Sequence, residues 1–99
     1  MTKLKPIHPG EILREEFMNP LDLNPNRLAM LLRVAAPNMY EIVNERGGIS
    51  SEMALRLARF FSTTPEFWLN LQTHYDLAIS KRESEDDINR DVQPMTKTA

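Results

Sequence analysis

The sequence predicts an all-α protein built from five short helices. Apolar residues recur at intervals of three and four over residues 28–32 and 54–61, the spacing of one helix face. A capping residue precedes a proline at 24–25 and again at 64–65, which is a typical helix start. No segment alternates between apolar and polar residues over a useful length, so we predict no strands.

The five predicted helices are separated by turn residues. The first covers about residues 11–18, with Leu13 and Phe17 on one face, and Asn19-Pro20 ends it. The second begins at Pro25. The third contains Met39, Ile42 and Val43, and Gly47-Gly48 ends it. Ser50 caps the fourth, and the fifth covers residues 65–81 after Thr64.

The end of the chain is polar and acidic. Five acidic residues lie between Glu83 and Asp91, and no helical period is evident there. We therefore predict a folded domain over residues 6–82, followed by a disordered tail over residues 83–99. The alternative is that the acidic run contacts a basic partner.

Composition narrows the classes of function. The 99 residues contain no cysteine, which excludes disulfides and cysteine zinc sites, and no apolar run is long enough to span a membrane. The net charge is −2, but residues 1–60 carry eight basic and seven acidic side chains, whereas residues 61–99 carry four basic and seven acidic ones. This balance permits a locally basic surface without predicting one.

The second and third helices are joined only by residues 33–36. Such spacing is typical of a helix-turn-helix unit, in which one helix crosses the DNA backbone and the next enters the major groove. Two helices of any bundle can be joined in the same way, so spacing alone leaves both interpretations open.

Longer motifs favour the DNA-binding interpretation. Residues 23–29 (LNPNRLA) and 41–44 (EIVN) resemble the helix-turn-helix of the lambda-repressor-like, or XRE, superfamily. Residues 6–17 (PIHPGEILREEF) resemble the opening motif of HigA-type antitoxins, and residues 54–61 (ALRLARFF) and 64–72 (TPEFWLNLQ) resemble their closing motifs. The resemblance implies a compact lambda-repressor-like fold.

The same resemblance implies a function. It implies a cytoplasmic homodimer without a cofactor that binds double-stranded operator DNA at its own promoter. It also implies neutralisation of a HigB-type toxin, an mRNA-cleaving ribonuclease related to RelE. A small-molecule substrate and a membrane partner are not expected.

The sequence departs from the family pattern around the predicted turn and recognition helix. Arg33 and Glu45 stand where glycine is usual, and Gly47 stands where a basic residue is usual. The recognition helix begins with Ala35 as its N-cap, followed by Ala36-Pro37 in place of a polar pair. Because Ala36 and Pro37 have no side-chain hydrogen-bonding group, these changes bear on DNA specificity rather than on the fold.

The predicted DNA-binding residues fall into two groups. Met39, Ile42 and Val43 face the core, which leaves the other side of the third helix for the groove. The predicted phosphate contacts are Asn26, Arg27, Arg33 and Arg46. The predicted groove residues are Asn38, Tyr40 and Glu41, with Asn44 nearer the edge of the groove.

The fifth helix carries more apolar residues than one core-facing side requires. Either it is a fully buried central helix, or one side packs on the core and the other on a twofold mate. We favour the second interpretation, because a small domain cannot easily bury a terminal helix completely. The predicted dimer interface consists of Phe67, Trp68, Leu71 and Tyr75, with Trp68 as the largest anchor.

Catalytic and metal sites are not expected. His8 and His74 lie far apart in the sequence, and we expect His8 to be a cap or surface residue. Glu11 and Glu15 are expected on an exposed helix face, where carboxylates are solvated. We therefore predict no enzyme. Two alternatives to an autorepressing antitoxin remain: a protein-interaction module with little sequence-specific DNA binding, and a solitary regulator with no toxin.

Overall fold

The computed structural model describes residues 5–96, which contain five α-helices and no strand. The predicted all-α class is confirmed. A π-helical segment, Leu13–Met18, and a 3-10 turn, Asn19–Leu21, extend the first helix. The α-helices are α1 (Pro9–Ile12), α2 (Pro25–Leu32), α3 (Ala36–Val43), α4 (Ser51–Phe61) and α5 (Pro65–Asp91).

Three helix starts predicted from the sequence are capped by side chains. Asn24 accepts a backbone N–H at 2.7 Å, Ser50 at 3.1 Å and Thr64 at 3.1 Å, each from the residue three positions later. Each such cap contributes about 1 kcal/mol to helix stability. The caps fix where α2, α4 and α5 begin, and hence the lengths of the turns before them.

His8 supplies a fourth cap. Its Nδ1 accepts the backbone N–H of Gly10 at 2.8 Å, and the residue is only 5% exposed. The cap role is confirmed, whereas the alternative of a surface residue is wrong. His8 is buried because the Tyr75 ring of α5 packs edge-on against it, with ring centroids 4.7 Å apart.

One apolar core joins all five helices. Trp68 is its largest member, and the Phe17 ring packs against Trp68 with centroids 4.8 Å apart. The core stripe of α3 is confirmed, since Met39, Ile42 and Val43 are all buried. The other buried apolar members are Leu13, Met18, Leu28, Ala29, Leu32, Ile49, Met53, Ala54, Leu57 and Ala58.

The last helix differs from the prediction. The acidic run that we expected to be disordered is helical, because α5 continues to Asp91 rather than ending near Lys81. No glycine or proline interrupts the chain between Pro65 and Pro94, so nothing local stops the helix earlier. The predicted domain boundary at residue 82 therefore falls inside α5.

Helix α5 is not the fully buried central helix of the alternative interpretation. Trp68 is the only residue of α5 that is buried. At a rise of about 1.5 Å per residue its 27 residues span roughly 40 Å, so it accounts for much of the 59 Å long axis of the molecule. Within the described part of the chain, no helix is apolar over enough of its length to cross a membrane.

Candidate nucleic-acid interface

Helices α2 and α3 meet in a tight turn that a left-handed residue makes possible. Arg33 ends α2 with φ 61°, and its backbone N–H reaches the carbonyl of Met30 at 3.2 Å. The next N–H, that of Val34, bonds to Ala29 at 3.0 Å and closes the turn. A Cβ is strained in this conformation and glycine is not, so Arg33 occupies a turn position that favours glycine.

Helix α3 begins without a side-chain cap. Its N-cap is Ala35, which makes no side-chain hydrogen bond, and Pro37 lies in its first turn. Proline at this position needs no N–H partner and has the helical φ already fixed. The helix start thus depends on backbone geometry, and it offers no side-chain hydrogen bond to a ligand at Ala36 or Pro37.

One side of α3 is apolar and buried, and the opposite side is exposed. At about 100° per residue, the buried positions Met39, Ile42 and Val43 lie together. The exposed positions fill the other side of this eight-residue helix and its C-cap. They are Pro37, Asn38, Tyr40, Glu41 and Asn44.

All eight side chains predicted to contact DNA are exposed. Asn26 and Arg27 lie in the first turn of α2, just after the Asn24 cap. Arg33 lies in the α2–α3 turn, and Arg46 follows the C-terminal end of α3. Exposure makes these residues available to a ligand. Their roles in binding remain predictions.

Two of these residues are paired with each other. The Glu41 carboxylate accepts hydrogen bonds from Arg46 Nε at 3.3 Å and from an Arg46 terminal nitrogen at 3.2 Å. Both side chains are more than half exposed, so the pair contributes no more than about 1 kcal/mol. A phosphate could therefore replace Glu41 as the partner of Arg46 at little cost.

The C-terminal end of α3 is held from the first helix, a support that the sequence reasoning missed. Arg14, in the π-helical segment, donates one guanidinium N–H to the carbonyl of Val43 and another to Glu45 at 3.2 Å. Hydrogen bonds to Glu15 and to Glu45 raise the pKa of the Arg14 guanidinium. Glu45 itself has φ 63°. The signal in the sequence for this support was that Glu45 stands at a position where glycine is usual.

A glycine lets α1 approach α3 closely. A Cβ added at Gly10 would lie 1.8 Å from the backbone carbonyl oxygen of Ile42. Only glycine allows this approach without moving a helix, because the obstacle is backbone rather than a flexible side chain. The opening segment of the chain therefore sets the position of α3.

The loop after α3 is anchored to α5. Gln72 accepts the backbone N–H of Ile49 at 2.7 Å and donates to Asp76 at 3.0 Å. The N–H groups of Arg46 and Gly47 both reach the Glu41 carbonyl, at 2.8 and 2.9 Å. These bonds fix the loop that carries Arg46.

The predicted dimer interface needs one correction. Trp68 is fully buried, and its indole N–H donates to Thr63 at 2.7 Å, so it cannot be the exposed anchor of a dimer. The other three predicted residues, Phe67, Leu71 and Tyr75, are exposed or half-buried, and their spacing places them on one side of α5. A role for these three in dimerisation remains a prediction.

Leu71 and Tyr75 line a shallow groove of about 290 Å³ between α5 and the start of the chain. Most of its lining is apolar, and Ile7 is 57% exposed there. The remaining lining residues are Pro6, Ile12, His74 and Ala78. Among residues 5–96, no three histidine or acidic side chains converge in a way that could hold a metal ion.

Known proteins resemble this chain over most of its length. An uncharacterised helix-turn-helix transcriptional regulator of Haemophilus influenzae is 52% identical over 77 residues, which cover 78% of this chain and 72% of the relative. The antitoxin HigA-1 of Vibrio cholerae is 36% identical over 76 residues, which cover 77% and 71%. No protein-family model matches the sequence.

A solved structure agrees with the sequence relatives. The antitoxin HigA of Pseudomonas aeruginosa, solved with the higBA promoter, is 46% identical and superposes with a TM-score of 0.90. The match covers 92% of this chain and 99% of that one. That protein is an antitoxin, and the two sequence relatives are a transcriptional regulator and an antitoxin. From the five-helix fold, the motif order and these identities, we conclude that the chain belongs to the HigA antitoxin family of helix-turn-helix transcriptional regulators.

Proposed function

We propose that this protein is a cytoplasmic antitoxin that binds operator DNA as a homodimer and represses its own promoter. The observation that carries the proposal is the two-sided α3, which buries Met39, Ile42 and Val43 and presents its polar residues to solvent. A short helix of this kind, set after a tight turn, is suited to lie in the major groove. The P. aeruginosa relative solved with its promoter supports the proposal.

The predicted DNA-binding residues divide into base readers and phosphate contacts. Asn38 is the best base reader, because a carboxamide can pair with adenine through two hydrogen bonds. Glu41 can accept from cytosine, although in the free protein it holds Arg46. Asn26, Arg27, Arg33 and Arg46 contribute phosphate contacts, which position the helix without reading sequence.

The proposal includes neutralisation of a HigB-type toxin, and it is supported by the identity to the V. cholerae antitoxin. A solitary regulator is the alternative. The two are separated by the neighbouring gene, because an antitoxin is expected beside a gene for a basic protein of about one small domain. Purification of that protein in a stable complex with this chain is the direct test.

A second candidate function is a protein-interaction module with little sequence-specific DNA binding. The uncapped start of α3 at Ala35 and the side chains of Ala36 and Pro37 favour it, since none can hydrogen-bond to a base. The acidic Glu41 on the exposed side also repels phosphates. This candidate predicts equal affinity for promoter and random DNA.

Asn38→Ala tests base reading. It should cost about 1–3 kcal/mol of affinity for the operator and much less for random DNA, because only the operator presents the matching base. Fluorescence anisotropy on two duplexes of equal length measures both affinities. Equal losses on the two duplexes would show that Asn38 reads no base.

Arg46→Ala tests the phosphate surface and is the matched comparison for Asn38→Ala. It should weaken binding to both duplexes alike and reduce the slope of log affinity against log salt by about one unit. Glu41 loses its partner in the same variant, but an exposed pair of this kind has little effect on stability. Unchanged affinity and slope would place the DNA surface elsewhere.

A further inference from the structure

The C-terminal end of α3 is clamped by a cation and a carboxylate that lie outside the predicted DNA-binding residues. The cation is Arg14, which donates to the carbonyl of Val43, the last residue of α3, and to Glu45 Oε2 at 3.2 Å. Their side chains are 34% and 29% exposed. A cation at this point also offsets the negative end of the helix dipole.

Arg14 is already engaged at all three guanidinium nitrogens. Its Nε donates to Glu15 at 3.1 Å, and its two terminal nitrogens donate to Val43 and Glu45. The planar guanidinium can satisfy these partners together because its donors form a rigid fork. A side chain held in this way acts as a structural link between the first helix and α3 rather than as a free phosphate contact.

Glu45 adopts a backbone conformation that is unfavourable for a residue with a Cβ. Its φ is 63°, in the left-handed region where a residue with a Cβ is strained and glycine is not. Glycine would relieve the strain but would remove the carboxylate that Arg14 binds. Strained residues of this kind concentrate at functional sites, where the surrounding structure holds them.

The approach of the first helix gives the clamp a rigid base. Gly10 lies directly against the carbonyl of Ile42, and Arg14 follows it by about one helical turn. The first helix therefore contacts α3 at two points: by close backbone approach at Ile42, and by the Arg14 hydrogen bonds at Val43 and Glu45. These two contacts restrain α3 from tilting relative to the first helix.

We propose that Arg14 and Glu45 are a positioning pair that sets the angle at which α3 enters the major groove. The inference rests on the proposed DNA-binding function. Base reading by Asn38 requires side-chain alignment to within hydrogen-bonding tolerance, whereas phosphate contacts by long arginines tolerate a small tilt. Loss of the pair therefore weakens operator binding and leaves binding to random DNA unchanged.

The test is Arg14→Gln, with Arg56→Gln as the matched control. Arg56 of α4 makes a comparable link to α2, donating to the Leu32 carbonyl at 2.8 Å, and its bond to Glu52 at 2.9 Å stays within α4. Arg14→Gln should reduce the ratio of operator to random-DNA affinity by about tenfold, the loss expected from one misaligned base contact. The salt slope should not change, and the ratio should stay constant in Arg56→Gln.

Glu45→Gly keeps the test decisive should Arg14→Gln fail to fold. This variant relieves the left-handed strain and keeps the Arg14–Val43 bond, so it should be at least as stable as the unmodified protein. It should nevertheless reduce the ratio of operator to random-DNA affinity, by up to the roughly tenfold loss expected for Arg14→Gln, because the Arg14–Glu45 bond is gone. In the absence of DNA, the amide proton of Asn44, which bonds to the Tyr40 carbonyl, should exchange faster.

The outcomes separate the inference from the proposed function. If the unmodified protein distinguishes its promoter from random DNA and both variants do so equally well, the positioning pair is refuted alone. A salt slope that falls by about one unit in Arg14→Gln would instead make Arg14 a phosphate contact. If the unmodified protein shows no discrimination, the proposed function and this inference are refuted together.

Discussion

Gly10→Ala is the substitution that most directly probes how α3 is held. The added Cβ would lie 1.8 Å from the Ile42 carbonyl oxygen and 2.9 Å from the carbonyl carbon. Ordinary contacts between heavy atoms begin near 3.5 Å, so α1 must move away from α3 by about 1.5 Å or more. The obstacle is the backbone of α3, which cannot rotate aside as a flexible side chain can.

The cost of that movement can be bounded. Forcing extra volume into a packed region typically costs about 1–3 kcal/mol. Alanine gains up to about 1 kcal/mol in helix propensity over glycine, but Gly10 lies in the first turn, where that gain is smaller. We expect a net loss of about 1–3 kcal/mol, and each kcal/mol lowers Tm by about 4–8 °C in a domain of this size.

Thermal and urea unfolding followed by circular dichroism measure this loss. Gly48→Ala is the matched control, because the atoms nearest its Cβ would be those of the Gln72 side-chain amide, at 3.2 Å, rather than backbone atoms. The control should lose less than about 1 kcal/mol, as substitutions outside tight packing usually do. Equal stabilities of Gly10→Ala and the unmodified protein would mean that α1 and α3 do not approach as described.

Two further predictions concern the N-terminal cap and the assembly state. Burial lowers the pKa of His8, although the charges of Glu45 and Asp76 oppose this shift, so His8 binds a proton more readily in the unfolded chain than in the folded one. The free energy of unfolding should therefore fall as the pH drops from about 7 through the folded-state pKa. His8→Asn should flatten this dependence between about pH 7.5 and 5.5. A pH profile that is the same in both proteins would contradict this account of the cap. Sedimentation at micromolar concentration should report about twice the 11.5 kDa chain mass, and Leu71→Asp should reduce it to that of one chain. A dimer that survives Leu71→Asp would move the interface away from this side of α5.

Local signals in the sequence predicted most of the fold. The caps Asn24, Ser50 and Thr64 each lie where a short polar side chain can reach an N–H three residues on, so helix starts were predictable. The buried stripe of α3 followed from helical spacing. The end of α5 was not predicted, because a run of acids was taken as disorder although nothing in it breaks a helix.

The candidate site was predictable only in part. Exposure of the DNA-binding residues followed from the helical period, but the support beneath them did not. Arg14 and Glu45 are 31 positions apart, and no local pattern joins them. The burial of Trp68 was also not predictable from the sequence, because Phe17 and Phe61, which pack against it, come from other helices. The apolar content of α5 does not reveal which side of the helix packs against the core.

The most direct test of the central claim is the affinity of the unmodified protein for its own promoter and for a scrambled duplex of equal length. Anisotropy titrations at about 0.15 M salt should give at least about a thousandfold tighter binding to the promoter, with footprints on two half-sites one helical turn apart. Equal affinities with no footprint would contradict operator reading by α3 and favour the interaction module.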